Sequence, residues 1–237
     1  MGGPDSGPDS GPDSGPASGP DSGTRPVAFD LSAAIAHLRA ADPVMARLID
    51  ATGPPSMVRD PSRPGPADHY GALVRSIVGQ QLSTRAARAI FGRLVEFFGG
   101  RTPAPEEVLA ADPDVLREAA GLSRAKVTFL RSLAEHVVSG ELELERLDQL
   151  GDDEILAELT AVKGIGAWSA HVFLMFQLER PDVLAVGDLG VRRAVERAYG
   201  LPGLPSDVEL TALAEPWRPF RSTACRVLWR SLDNAPA

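Results

Sequence analysis

Apolar residues recur three and four positions apart over most of the chain after about residue 25, and this spacing is typical of amphipathic helices. Alternation of apolar and polar residues never persists long enough to indicate a sheet. Capping residues and glycine or proline breakers separate the helical stretches. The pattern predicts helices over residues 31–40, 44–51, 70–79, 83–99, 113–121, 123–140, 152–159 and 167–178, and therefore an all-α fold.

The amino-terminal stretch departs from this pattern. Residues 3–22 repeat Gly-Pro-Asp-Ser five times, once with Ala17 in the third place. Proline blocks helix formation, and the repeat has no large apolar side chain to bury. We therefore predict a disordered tail over residues 1–24, short helices and a proline-rich connection over 25–66, and a main domain over 67–235.

Charge and cysteine content narrow the classes of function. The chain of 237 residues has a net charge of −8, and the four aspartates of the repeat account for half of that charge. Contacts with phosphate would therefore depend on local groups of basic residues, which are mostly arginine. The single cysteine, Cys225, excludes an internal disulfide, a four-cysteine zinc site and an iron–sulfur cluster held by this chain's own thiolates.

Metal-binding and membrane-spanning patterns are also missing from the sequence. The histidines show no paired spacing of the kind that holds a catalytic metal; they are His37, His69, His136 and His171. The apolar runs are far shorter than a bilayer span, and no secretory signal pattern opens the chain. We expect a soluble cytoplasmic protein with no membrane partner and no catalytic cofactor.

The segment Val162-Lys163-Gly164-Ile165-Gly166 lies between two predicted helices. Glycines at such a turn expose backbone N–H groups at the start of the second helix, where a DNA phosphate can approach. A Gly-x-Gly turn is also a common way of joining two helices. On its own, this segment leaves both interpretations open.

An aspartate follows some twenty residues later. The apolar stretch 183–186 leads into Gly187-Asp188, and a helical pattern begins directly afterwards. Asp188 is well placed to cap that helix, and this is the simpler interpretation of the residue alone.

Taken together, these two segments resemble the helix-hairpin-helix and the Gly/Pro-rich loop with its aspartate that define the HhH-GPD superfamily of DNA glycosylases. Residues 76–83, Ser-Ile-Val-Gly-Gln-Gln-Leu-Ser, are similar to the segment of 3-methyladenine DNA glycosylase II enzymes that inserts into the gap left by a flipped nucleotide. Residues 217–229 resemble the closing helix of that branch, whose tryptophan forms part of the base pocket. The resemblance covers about residues 67–232, and four segments in the correct order make it specific.

The resemblance implies a helix-hairpin-helix glycosylase bundle. Enterobacterial members of the alkylpurine branch carry an amino-terminal β-rich domain, whereas residues 25–66 are too few and too helical to form one. We therefore expect a compact form without that domain, acting on double-stranded DNA that contains damaged bases. We also expect a monomer associated with the nucleoid.

Trp168 decides which chemistry the resemblance implies. Bifunctional members of the superfamily carry a lysine nucleophile four residues after the first hairpin glycine, and that position is Trp168 here. Without an amine no Schiff base to the sugar forms, so the enzyme should hydrolyse the glycosidic bond and leave an abasic site. Lys163 precedes the glycines and is better placed to contact a phosphate.

The base pocket would be lined by Trp168 and Trp229, whose electron-rich rings suit a cationic alkylated purine. Val172 stands where enterobacterial enzymes have an aromatic residue, which leaves the base preference open. Asp188 would be the catalytic carboxylate, because the developing oxocarbenium ion needs a nearby anion.

The resemblance also implies three sets of contacts with DNA or a cation. The residue that would fill the gap in the duplex is Gln81, or alternatively Leu82, with Gln80 beside it. Phosphate contacts would come from Lys163, Gly164, Ile165, Gly166, Arg85, Arg124 and Lys126. A structural Na⁺ or K⁺ would be held by the backbone carbonyls of Thr160, Val162 and Ile165.

Two alternatives remain open at this point. A glycosylase for a deaminated or oxidised base would keep Asp188 and change the pocket. A non-catalytic module that binds damaged DNA would keep the hairpin but would not require the aspartate.

Overall fold

The computed structural model describes residues 30–55 and 68–233. The predicted tail over residues 1–24 lies outside these ranges, as does most of the proline-rich connection. Within the described ranges there are helices and loops but no β-strand, so the all-α prediction is confirmed for this part of the chain. None of the described helices is both long and apolar enough to span a bilayer.

Twelve α-helices and two short 3₁₀ helices make up the described residues. The α-helices are α1 Leu31–Ala41, α2 Pro43–Thr52, α3 His69–Gly79, α4 Thr84–Phe97, α5 Pro105–Ala110, α6 Pro113–Ala120, α7 Arg124–Ser139, α8 Asp152–Ala161, α9 Ala167–Phe176, α10 Leu189–Tyr199, α11 Asp207–Leu213 and α12 Arg221–Asp233. The 3₁₀ helices are Leu144–Gln149 and Glu215–Trp217.

Side-chain caps explain where most of the helices begin. Asp30, Asp42, Ser83, Ser123 and Asp188 each accept hydrogen bonds from backbone N–H groups of the helix that follows. Glycines in the left-handed conformation end α6, α7 and α10. The sequence therefore specifies the limits of these helices locally, before any tertiary contact forms.

Buried apolar side chains from nearly every helix form one continuous core. The α8–α9 hairpin packs through α9 against α3, and α10 packs against α12 and α2. α7 packs against α3 and α5. This arrangement brings the hairpin, the end of α3 and the start of α10 to neighbouring positions, although they are distant in sequence.

The structure differs from the sequence prediction in its short elements. α5, α11 and both 3₁₀ helices were not predicted, because elements of three to seven residues are too short to show a helical period. The segment 217–229 is not one helix: α12 begins only at Arg221, and Trp217 belongs to the preceding 3₁₀ helix. Pro219 lies between the two elements, and proline does not continue a helix.

Candidate active site and DNA interface

Asp188 is the N-cap of α10 and is only 7% exposed. Its Oδ1 accepts the Val191 N–H at 2.6 Å and the indole N–H of Trp229 at 2.8 Å. Its Oδ2 accepts the indole N–H of Trp168. Three N–H donors and no acceptor therefore contact the two oxygens, which suits an ionised carboxylate because that form only accepts hydrogen bonds.

Gly190 allows this close arrangement. A Cβ atom at position 190 would lie 3.0 Å from Asp188 Oδ1 and 3.1 Å from Trp229 Cδ1. A side chain at position 190 would therefore require the tryptophan ring or the carboxylate to shift by a few tenths of an ångström. The need for glycine at this position could not be seen in the sequence, because it arises from the packing of α12 on α10.

Aromatic surface is exposed next to the carboxylate. Trp168 is 48% exposed and Phe176 is 46% exposed, high values for such large apolar side chains. The rings of Phe176 and Trp229 stack with centroids 6.0 Å apart and an angle of 23° between their planes. Val172 is half-buried between Trp168 and Phe176 along α9. Trp168 and Phe176 thus flank the aliphatic position that the sequence analysis noted.

The sequence analysis missed Phe176. Its signal was the spacing of positions 168, 172 and 176, which places all three on one side of α9 because residues four apart are neighbours on a helix. The prediction from the sequence named only Val172, which lies one turn after Trp168. The aromatic side chain is instead two turns along the helix.

Arg226 lies behind Phe176 and was also missed. Its guanidinium carbon is 4.2 Å from the centre of the Phe176 ring, and its Nη2 donates to the Met175 carbonyl at 2.5 Å. The side chain is buried, and this burial lowers the pKa of Arg226. The guanidinium therefore holds one face of Phe176 and the end of α9 in a fixed arrangement.

Gly164 fixes the hairpin to α7. Its φ of +93° favours glycine, and a Cβ atom there would lie 2.1 Å from Cγ of Phe129. The Phe129 ring therefore occupies the space that any side chain at position 164 would need. A glycine at this position is required both by the backbone conformation and by packing.

Ile165 is less available for DNA than the sequence predicted. Its side chain is buried, and its N–H donates to the Val162 carbonyl at 3.0 Å to close the turn. In the described part of the hairpin, neither Gly164 nor Gly166 donates such a turn hydrogen bond. Unlike the Ile165 N–H, the two glycine N–H groups are therefore not used to close the turn.

Two of the predicted phosphate-binding side chains share one groove. Arg124 and Lys163 are exposed and line a groove of about 490 Å³ beside α6 and α7. Arg131 also lines it, but its Nη1 donates to three carbonyls at the end of α5. Among the described residues neither Arg124 nor Lys163 forms an ion pair, although Glu135 also lines the groove.

Lys126 points elsewhere. Its Nζ donates to the Val78 carbonyl at 2.7 Å, at the end of α3, and partial burial lowers its pKa. The ammonium group therefore stabilises the carboxyl end of a helix, where a positive charge is favourable. Arg85 lies in the first turn of α4 and is exposed.

Residues 80–83, which we call the wedge loop, connect α3 to α4. Gln81 is exposed and has a φ of +58°, unusual for a residue other than glycine. Leu82 is 37% exposed. Gln80 differs from both, because its amide Nε2 donates to the Gly164 carbonyl at 2.8 Å. Of the three residues predicted for the DNA wedge, Gln81 and Leu82 are therefore exposed, and Gln80 is bound to the hairpin.

Carbonyl oxygens of the kind that bind Na⁺ or K⁺ are present at the hairpin. The Val162 carbonyl accepts one turn hydrogen bond and keeps a second lone pair. The hydroxyl of Thr160 donates to the Leu156 carbonyl, one turn earlier in α8. In the part of the chain that the structure describes, no group of three or more His, Cys, Asp or Glu side chains could hold a metal.

Comparison with known proteins is consistent with this geometry. The family model of the HhH-GPD superfamily base excision DNA repair proteins matches residues 74–219. DNA-3-methyladenine glycosylase 1 of Schizosaccharomyces pombe is 33% identical over 207 residues, which cover 86% of this chain and 89% of that protein. DNA-3-methyladenine glycosylase 2 of Escherichia coli is 27% identical over 175 residues, 70% of this chain and 58% of that protein.

Two solved structures share the fold. The Schizosaccharomyces pombe 3-methyladenine DNA glycosylase in complex with abasic DNA matches with a TM-score of 0.74 and 33% identity, over 86% of this chain and 98% of that one. A DNA-3-methyladenine glycosidase from Bacillus halodurans matches with a TM-score of 0.72 and 35% identity, over 85% and 89% of the two chains. This chain therefore belongs to the HhH-GPD superfamily of base excision DNA repair proteins, as its hairpin and the aspartate after it predicted.

Proposed function

We propose that this protein is a monofunctional DNA glycosylase that hydrolyses the N-glycosidic bond of a flipped alkylated purine and leaves an abasic site. The observation that carries the proposal is the buried Asp188 carboxylate, which accepts the indole N–H groups of Trp168 and Trp229 beside exposed aromatic surface. Relatives named as DNA-3-methyladenine glycosylases support the substrate class.

Asp188 would act on the sugar. As the base departs, positive charge develops on the sugar ring, and a carboxylate about 4 Å away stabilises it by roughly 4 kcal/mol at an effective dielectric constant of 20. The indole N–H groups hold the carboxylate in one orientation before the substrate arrives. The same carboxylate orients or deprotonates the attacking water.

The aromatic side chains would select the base. A purine alkylated at a ring nitrogen is cationic, and each aromatic ring facing it contributes about 0.5–2 kcal/mol of cation–π attraction. Trp168 and Phe176 present the exposed ring surface for this contact. A cationic base is already a good leaving group, so no general acid is needed at the base.

A lyase step has no nucleophile at the expected position. The indole nitrogen of Trp168 donates its hydrogen to Asp188 and has no lone pair to attack the sugar carbon. Lys163 lines the groove beside α7, with Arg124. The reaction would therefore end at the abasic site.

DNA would be held by a few local contacts. The N–H groups of Gly164 and Gly166 lie at the start of α9, where the helix dipole favours a phosphate. Lys163 and Arg124 add two positive charges in one groove. With about two to four phosphates contacted, affinity should fall with salt less steeply than for proteins that contact six to ten phosphates.

A monovalent cation at the hairpin completes the proposal. The carbonyls of Thr160, Val162 and Ile165 would hold Na⁺ or K⁺, which would stiffen the turn that presents the glycine N–H groups. Replacing both ions by a large organic cation should then weaken DNA binding while leaving the circular dichroism spectrum unchanged.

A glycosylase for a deaminated or oxidised base is the second candidate. Val172 favours it, because the position that holds an aromatic residue in enterobacterial enzymes of the alkylpurine branch is aliphatic here, which leaves one ring fewer to attract a cationic base. The two candidates differ in which base leaves the DNA.

The test is to incubate the purified protein with methylated duplex DNA and to identify released bases by chromatography. We expect 3-methyladenine or 7-methylguanine, with strand breaks appearing only after alkali treatment. Release of hypoxanthine or an oxidised purine alone would support the second candidate. Breaks without alkali, or trapping of the protein on DNA by borohydride, would contradict the monofunctional assignment.

A further inference from the structure

We propose that Gln80 is a positioning residue that links the wedge loop to the hairpin, and that it does not itself enter the DNA. Its Nε2 donates to the Gly164 carbonyl at 2.8 Å and lies 3.4 Å from the Ser169 hydroxyl oxygen. Both partners belong to the other DNA-facing segment, more than 80 residues away in sequence. The inference rests on the proposed function and concerns how the same site extracts its substrate.

The partners of Gln80 are themselves fixed. Gly164 lies against the Phe129 ring, with no space for a side chain. Ser169 is buried and directly follows Trp168 in α9. A hydrogen bond to these two residues therefore ties the wedge loop to the turn that would hold phosphate and to the helix that carries a pocket residue.

The wedge loop needs such a tie because its backbone is strained. Gln81 adopts φ +58°, and a left-handed conformation at a residue other than glycine costs on the order of 1 kcal/mol. The loop is short, and its two backbone N–H bonds are long: Gln80 donates to the Ile77 carbonyl at 3.4 Å, and Leu82 donates to the Gly79 carbonyl at 3.3 Å. Contacts from outside the loop must maintain this conformation, and the amide of Gln80 provides one.

α7 contacts both segments that Gln80 joins, the wedge loop and the hairpin. Lys126 donates to the Val78 carbonyl, just before the wedge loop, and Phe129 lies under Gly164. Residues three apart lie on the same side of a helix, so one face of α7 contacts both segments. With Gln80 joining them directly, the wedge loop and the hairpin form one rigid unit.

This rigidity has a function in base flipping. The hairpin would hold the backbone of the damaged strand, and the wedge loop would occupy the space that the base leaves. The distance between the two sets how far the strand is distorted, and misplacement by about 1 Å can cost a factor of 100 in rate. The effect should be greatest where the base is well paired, because a mismatched base costs less to unstack.

The test compares single-turnover excision of one lesion in a matched pair and in a mismatch. Gln80→Ala should slow excision from the matched pair by about 10-fold and from the mismatch by less than about 2-fold. Gln80→Glu keeps the side-chain length but replaces the donor with an acceptor facing the Gly164 carbonyl, and should behave similarly. Gln149→Ala, at an exposed position far along the chain, is the matched control and should change neither rate.

The outcomes separate this inference from the proposed function. Equal losses on both substrates, or no loss on either, would overturn the role of Gln80 while leaving the glycosylase intact. If wild-type protein releases no base, the proposed function fails, and the role of Gln80 is then measured by the fluorescence of 2-aminopurine placed opposite thymine in a fully paired duplex. There Gln80→Ala must still lower the fluorescence increase on binding, and an unchanged increase would refute the link.

Discussion

Two buried aspartates of this protein have the same local structure and different surroundings. Asp42 is the N-cap of α2, is 7% exposed, and accepts the indole N–H of Trp217 at 2.8 Å and the hydroxyl of Tyr199. Burial raises its pKa, but the hydrogen bonds from Trp217, Tyr199 and two backbone N–H groups outweigh this effect and hold the pKa below its usual value.

Asp188 is likewise an N-cap that is 7% exposed and accepts indole N–H groups. The difference lies in the tryptophans. Trp217 is completely buried, whereas Trp168 is 48% exposed. The Asp42 carboxylate therefore joins α1, α2 and the 3₁₀ helix before α12. The Asp188 carboxylate lies beside ring surface that a base could reach. Exposure of the partners, and not the aspartate's own burial, distinguishes a structural carboxylate from a candidate catalyst.

The largest effect should come from Asp188→Asn. Asparagine still caps the helix through its Oδ1 but lacks the negative charge, and its NH₂ group would face the indole N–H of Trp168. We therefore expect excision to fall by about 1,000-fold and the free energy of unfolding to fall by only about 1–2 kcal/mol. Single-turnover base release and urea denaturation measure the two quantities. Asp30→Asn, at the exposed N-cap of α1, is the matched control. An active Asp188→Asn protein would remove the assignment of this residue.

Asp42→Ala should have the opposite effects: a large loss of stability and no loss of excision activity. It removes a helix cap and leaves the Trp217 N–H and Tyr199 O–H buried without an acceptor, which should destabilise the fold by about 3 kcal/mol. The folded fraction should excise bases at the wild-type rate. Urea denaturation gives the first quantity, and excision at low temperature gives the second. An Asp42→Ala protein with normal stability but no activity would contradict the structural role of Asp42.

The tryptophan partners allow a smaller, paired test. Trp217→Phe should cost about 2 kcal/mol of stability, because a buried carboxylate loses a donor and the core loses volume. Trp168→Phe should change stability by less than about 0.5 kcal/mol and slow excision by about 10-fold, since the exposed ring supports little of the core. If both variants lose stability equally, the exposure of the tryptophan does not distinguish the Asp42 site from the Asp188 site.

The smallest effect concerns pH. Because the folded pKa of Asp42 lies below its usual value of 3.8, its charge stabilises the fold above that value, and this contribution is lost as the pH falls through the folded pKa. The difference in unfolding free energy between wild type and Asp42→Asn should therefore be constant from pH 5 to pH 7 and shrink below about pH 4. A difference that stays constant down to pH 3 would contradict the lowered pKa.

Much of the fold followed from the sequence because helix limits are encoded locally. Ser83, Ser123 and Asp188 cap their helices where they were predicted to, since a side chain and the backbone two or three residues away need no distant partner. The short α5 and α11 could not be found, because they contain too few residues for a periodic pattern. The tail over residues 1–24 remains a prediction.

The candidate site was predicted less completely. The hairpin, Asp188, Trp168 and Trp229 came from order and spacing along the chain, whereas Phe176 and Arg226 depend on how α9 packs beside α12. Lys126 was predicted to contact phosphate together with Arg85 and Arg124. Its ammonium group instead contacts Val78, because α7 and α3 cross at that point.

The sequence by itself determined the longer helices, the family and Asp188 as the candidate catalytic residue, because caps, turns and motif spacing are properties of neighbouring residues. Only the tertiary structure decided that Asp188 bonds to the exposed Trp168 while Asp42 bonds to the buried Trp217, and that Gln80 bonds to Gly164. These distinctions depend on which side chains from distant segments share one location. Burial and hydrogen-bond partners are set by that packing and cannot be assigned to any residue alone.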